Sequence, residues 1–191
     1  MQVKCYFDYT CEYCYKALYW LDTVVAETND LDMDWVTFSL KEANRDRNSP
    51  SPFDDNEISS LSVLALCLGH AARGADFGRY HRAMFDAMHG HGRRLREEDL
   101  LALAADAGVD IDAFNDQRAR WLAAVAREHH DGVARWRVFG TPTFIIEDNE
   151  AAFIKLSSPP TNPSEAVAMW HSVRTLAMCH PDSIEIKRPG G

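Results

Sequence analysis

Positive charge is scarce in this chain. Its 191 residues carry 20 Lys and Arg against 29 Asp and Glu, a formal net charge of -9. That balance argues against nucleic acid or an anionic membrane as partner, since both require basic patches. The one small basic cluster, Arg93-Arg94-Leu95-Arg96, runs straight into Glu97-Glu98-Asp99 and reads as a solvated helix start. Long apolar runs are missing too: none approaches the roughly 20 residues of a membrane span. No apolar leader precedes the first strand pattern, which begins within three residues of Met1, so a cytoplasmic protein is expected. Cysteine is sparse: five residues, an odd number and widely scattered, do not make the disulfide framework of a small secreted domain. Internal repeats and low-complexity tracts are absent. What remains is ordinary globular composition, with length for one large domain or a small domain carrying an insertion.

The most informative stretch is Phe7-Asp8-Tyr9-Thr10-Cys11-Glu12-Tyr13-Cys14-Tyr15. Upstream, Val3, Cys5 and Phe7 alternate with Lys4, Tyr6 and Asp8, the period of a strand. Downstream, Ala17, Leu18, Leu21, Val24 and Val25 recur at helical spacing, with Thr10 predicted as N-cap. Asp30-Leu31-Asp32 breaks the helix, and Met33 to Leu40 reads as a second strand. Residues 41–56 read as a loop, a linker into an inserted region. From about 57 to 136 the pattern is helical, in four amphipathic segments, the last predicted from about Ile111 to Trp136 with one break. Their Met and aromatic stripes read as packing faces. Thr143-Phe144-Ile145-Ile146 is a strand, Asp148-Asn149 a turn, and Ala152 to Leu156 its antiparallel partner. Asn162, Pro163 and Glu165 form a strong helix start. Ile184-Glu185-Ile186 suggests a short last strand before the Pro189-Gly190-Gly191 tail.

Three chemistries compete for Cys11 and Cys14. A structural disulfide across so short a loop would add little loop-closure entropy. A zinc site needs a second ligand pair, yet Cys67 and Cys179 lie far off, His129-His130 are adjacent, and His89 with His91 is a weak pair. A redox dithiol fits best, because a helix N-terminus favours a thiolate at the first cysteine and the second lies one turn on. Cys5 and Cys67 read as small buried hydrophobes and Cys179 as an exposed helix-end residue.

Strand, Cys-x-x-Cys, helix, a helical insertion, and then Phe139-Gly140-Thr141-Pro142-Thr143-Phe144 opening a hairpin resembles the DsbA-type branch of the thioredoxin superfamily. The closest likeness is to cytosolic actinobacterial members that include mycothiol-dependent nitroreductases, through Tyr15, Tyr19-Trp20-Leu21 and the His129-His130 pair. The resemblance implies an α/β thioredoxin fold, with residues 1–45 and 137–191 as the thioredoxin-like domain and 46–136 as an inserted helical domain lying over the active site. It implies Cys11 as attacking and Cys14 as resolving cysteine of a thiol–disulfide oxidoreductase. Pro142 would be a cis-proline, Thr141 would offer its backbone to substrate, and Glu12 and Tyr13 would complete the substrate-facing surface. No bound cofactor or metal is implied. Disulfide-containing proteins or small molecules would be substrates, a low-molecular-weight thiol (mycothiol or similar) co-substrate, and a homodimer the usual assembly. Glu12-Tyr13 replaces the family's commoner Pro followed by an aromatic or His, which removes a thiolate-stabilising imidazole. A helix dipole supplies at most ~2 kcal/mol, about 1.5 pKa units, and Glu12 offsets part of it. A mild exchanger is therefore expected. Two rivals stay open: a glutathione-transferase-kappa or isomerase-like enzyme on the same fold, whose members usually carry Ser at the first cysteine, and a non-catalytic binding or metal module.

Overall fold

Alternation along Val3, Cys5 and Phe7 builds strand β1 (Gln2–Phe7), whose two faces separate cleanly. The computed structural model of the chain describes residues 1–90, 94–160 and 162–180. Helix α1 (Glu12–Thr28) leads to β2 (Asp32–Thr37), which lies parallel to β1 with Cys5 opposite Trp35. After the helical region, β3 (Thr143–Ile146) pairs antiparallel with β1, Cys5 opposite Phe144, and β4 (Glu150–Phe153) pairs antiparallel with β3. The sheet order is β2-β1-β3-β4, and α8 (Pro163–Cys179) closes the described chain. This is the expected β-α-β unit followed by hairpin and helix.

Between the halves lie α3 (Leu61–Ala72), α4 (Phe77–His89), α5 (Glu97–Asp106), α6 (Ile111–Asp116) and α7 (Arg118–Trp136). α3 is the hub, packed on α4, α5 and α7, and is buried over most of its length. One core face of the sheet carries Val3, Cys5, Phe7, Trp35, Phe144 and Ile146 against α1, α8 and the helical block. The opposite face carries Tyr6, Val36, Phe38, Val138 and Ile145. α7 serves both: Leu122 and Val125 enter the first cluster, while Gly132 lies against the Tyr6 ring so closely that an added Cβ would sit 2.6 Å from Cε1.

Several boundaries differ from the sequence reading. The second strand stops at Thr37, because Asp8 captures the Leu40 amide at 2.8 Å and Ser39 caps a short helix, α2 (Leu40–Ala43), inside the expected loop. The last helical segment, by contrast, has its expected break, at Gln117, separating α6 from α7. The hairpin turns at Glu147 and Asp148, both at positive φ, so the return strand begins at Glu150, two residues early. In α1, Trp20 joins the buried face and Val25 is only half-buried, because Trp20 packs edge-on against Phe144 and Trp170 and donates from Nε1 to the Ala166 carbonyl at 3.0 Å. The expected Ile184–Ile186 strand, the tail, and His91 lie outside the described residues.

The helical block is clasped to the sheet at one acidic point. Glu128 of α7 accepts from the Thr37 amide and hydroxyl, each at 2.7 Å, and from Arg73 at 2.8 Å, and pairs with His70 at 3.1 Å. Arg73 also donates to the Trp35 carbonyl at 2.5 Å, so α3 and α7 are both tied to the end of β2.

Candidate active site

The site forms where β1 turns into α1. Asp8 has no exposed surface, and its Oδ1 accepts from the Thr10 amide at 2.8 Å and the Thr10 hydroxyl at 2.7 Å. Its Oδ2 takes the Leu40 amide, so one carboxylate shapes both the turn before Cys11 and the end of β2. Burial raises the Asp8 pKa, and these hydrogen bonds offset part of that. Thr10 is thus spent on the turn, and Cys11 occupies the N-cap, a correction to the predicted cap. Its carbonyl accepts from the Cys14 and Tyr15 amides at 3.1 and 3.2 Å.

Cys11 is 6% exposed and Cys14 0%, and neither is in a disulfide. The Cys11 thiol donates to the Thr141 carbonyl at 3.3 Å, across 130 positions of sequence. The Thr141–Pro142 peptide is cis. Cys11, Cys14, Thr141 and Pro142 therefore come together. A hydrogen bond from Cys14 lowers the Cys11 pKa most; burial opposes it; and donors at Thr141, Cys14 and Tyr13 bring it to about 6. Cys14 moves the other way, pushed well above the ordinary thiol range by burial, by its bond to Cys11, and by the charges of Cys11 and Cys5. Thr141 Oγ1 is buried without a partner in this dithiol, a hydroxyl ready to donate when the sulfur is ionised.

Glu12 and Tyr13 face outward on the first turn of α1. Glu12 is exposed and pairs with Lys16 at 3.4 Å. Tyr13 is half-buried between Lys16, 5.1 Å from its ring centroid, and Lys155 at 4.8 Å. Lys155 also lies over Phe153, whose ring packs at a tilt against Phe139, a residue 71% exposed beside the Thr141–Pro142 loop. This aromatic and cationic flank escaped the sequence reading, since only the hairpin fold brings Phe153 and Lys155 to Tyr13. On the other flank a cleft of about 920 Å³ is lined by Thr10, Leu40, Lys41, Arg45 and Ser49.

Tyr9 is buried, its hydroxyl 3.0 Å from His81 Nδ1 and its carbonyl 2.8 Å from His89 Nε2. His89 stacks on Tyr15, so it braces the active-site turn. His129 does not reach the site surface. It is buried against Phe38 and Phe53 with Nδ1 accepting from the Ser39 amide, while His130 is exposed. Cys5 and Cys67 are buried and Cys179 exposed, as read. Among the described residues no three His, Cys, Asp or Glu side chains gather to hold a metal, and no helix is long and apolar enough to cross a membrane.

Comparison with curated proteins finds no match. Among solved structures, a probable DsbA oxidoreductase from Streptomyces coelicolor is 16% identical with a TM-score of 0.65, covering 100% of this chain and 97% of that one. The cytosolic disulfide reductase DsbM from Pseudomonas aeruginosa, solved with GSH, is 19% identical with a TM-score of 0.61, covering 90% and 98%. A 2-hydroxychromene-2-carboxylate isomerase is 18% identical with a TM-score of 0.63, covering 96% and 98%. At such identities these likenesses speak to the fold. The model of the DSBA-like thioredoxin domain matches residues 2–162, most of the chain. The protein belongs to that family and is a thiol–disulfide oxidoreductase of the DsbA type.

Proposed function

We propose that Cys11 is the attacking thiolate and Cys14 the resolving thiol of a mild disulfide reductase, recharged by a low-molecular-weight thiol of the mycothiol or glutathione kind. The observation that carries this reading is the asymmetry of the pair: one sulfur at the helix N-cap with its pKa lowered to about 6, the other buried and raised. The Cys11 thiolate attacks a substrate disulfide, Cys14 displaces the product, and the small thiol reduces the resulting bridge. Thr141 and Pro142 face the reacting sulfur, with the Thr141 carbonyl on Cys11 marking where an extended substrate lies. Glu12, Tyr13 and the neighbouring Lys155 form the adjoining contact surface. A lowering to about 6 supports an exchanger poised for a reducing, cytoplasmic setting, in keeping with the cytosolic reductase that shares its fold. The isomerase reading is disfavoured by the intact cysteine pair.

The test is insulin-disulfide reduction coupled to each candidate thiol. The wild type should turn over and Cys11→Ser should be inactive; wild-type rates in Cys11→Ser would overturn the assignment.

A further inference from the structure

The surface beside the reacting sulfur is assembled from separate stretches of chain, and a lysine stands where they meet. The Thr141–Pro142 loop is tied to the end of β4: the Ile154 amide donates to the Pro142 carbonyl at 3.3 Å, and Phe153 lies opposite Thr143. Gly140 lies so close to the Phe153 ring that an added Cβ would come within 3.2 Å of Cε2, and Phe139 packs against the same ring while staying 71% exposed. Lys155 follows directly after the amide that holds Pro142. Its ammonium lies 4.8 Å from the centroid of Tyr13, two residues past Cys11, and 5.2 Å from that of Phe153. One exposed cation therefore touches both the Cys-x-x-Cys turn and the hairpin that carries the cis-proline.

The charge of Lys155 is not consumed within the molecule. Among the described residues no carboxylate pairs with it; the nearby Glu12 is taken by Lys16 at 3.4 Å, on the other contact of the Tyr13 ring. Around Tyr13 two positive charges thus face one negative, in a chain whose formal net charge is -9. Ring contacts orient an ammonium without neutralising it. They also exclude water from part of it, which strengthens its pull on a carboxylate, and they leave less side-chain freedom to lose when one arrives.

We propose that Lys155 is a specificity-determining residue, and that the preferred substrates are protein disulfides with an Asp or Glu within about two residues of the attacked cysteine. This rests on Cys11 being the nucleophile, as argued above. A substrate strand lying along Thr141 presents its cysteine to Cys11 and its neighbouring side chains to Tyr13 and Lys155. A carboxylate there meets an unpaired ammonium, whereas a lysine or arginine meets a like charge. The discrimination acts on binding and encounter and leaves the sulfur chemistry unchanged, so it belongs in KM.

The experiment follows reduction of two peptide disulfides by the pre-reduced full chain, identical except for Glu or Lys beside the cysteine. Each rate is divided by that peptide's rate with dithiothreitol, which removes intrinsic reactivity. Wild type should favour the Glu peptide by about five-fold at low ionic strength, through KM, and the preference should shrink as salt rises. Lys155→Met should bring the ratio close to one and Lys155→Glu should invert it. Each ratio is internal to one variant, so a change in overall activity cancels. No preference in wild type, or the same preference in Lys155→Glu, overturns the assignment: Lys155 then only covers the rings, and the dithiol reading stands. Wild type inactive on both peptides, or activity in Cys11→Ser, overturns the dithiol reading as well.

Discussion

Replacing Glu128 by Gln isolates the clasp that ties the helical block to β2. Burial alone would raise this carboxyl, but His70, Arg73 and Thr37 together bring it from its usual 4.5 down to about 2. At 1.36 kcal/mol per unit that difference is worth ~3 kcal/mol, and a side chain only 19% exposed is little screened by solvent. Gln keeps the shape and one acceptor but removes the charge that Arg73 and His70 face, so a loss of ~2–3 kcal/mol at neutral pH is expected. The sign is fixed by the direction of the shift. A carboxyl that titrates lower in the folded state contributes fully above its unfolded pKa, and that contribution drains as pH falls from about 4.5 toward 2. Urea unfolding followed by circular dichroism over an acidic pH series should show the gap between wild type and Glu128→Gln closing over that window. A gap that is equally wide in acid and at neutral pH, or absent at neutral pH, refutes the charge-based clasp.

Three further outcomes follow from single contacts. Gly132→Ala puts a methyl into the Tyr6 ring and should cost ~1–3 kcal/mol in chemical denaturation; a neutral result would mean that α7 does not press on Tyr6. His81, buried in a cage of Phe7, Trp35, Phe77 and Phe85 with Nε2 unpartnered, is lowered by burial to about 3. Stability drawn from its neutral form is lost as pH falls below its unfolded value of 6.5 toward 3. His81→Phe should therefore unfold at lower pH than wild type in an acid titration, and an unchanged midpoint counts against it. Thr141→Val removes the hydroxyl available to the ionised sulfur and should raise the Cys11 pKa by ~1 unit, since a hydrogen bond to a charged group is worth ~1.5–3 kcal/mol before compensation. Thiolate absorbance reads this directly, and no change would exclude the hydroxyl as a donor.

What the sequence revealed followed from locality. Val3, Cys5 and Phe7 announce β1 because alternation is a property of neighbours, and Asn162-Pro163-Ser164-Glu165 announces α8 because capping is too. The dithiol and the Thr141–Pro142 loop were legible as motifs, and their meeting followed from the family resemblance. Long-range polar contacts were not. Nothing in Asp8 says that it will hold the amide of Leu40, which ends β2 early, or that Glu128 will reach Thr37, 91 positions away. Thr10 reads as a cap because its residue type suits one, but Asp8 claims its hydroxyl first. The adjacent His129 and His130 read alike in sequence, yet Phe38 and Phe53 draw His129 inside and leave His130 exposed. The return strand, read as Ala152 to Leu156, begins instead at Glu150, because the positive φ of Glu147 and Asp148 turns the chain tightly.

The central claim is that Cys11 is a moderately activated thiolate, and its titration tests that most directly. Ultraviolet thiolate absorbance of the reduced wild type, with Cys11→Ser as the blank, should show one group ionising at about 6. A value near the ordinary thiol range of about 8.5 would contradict the account, as would one below about 5 in the range of strong oxidants.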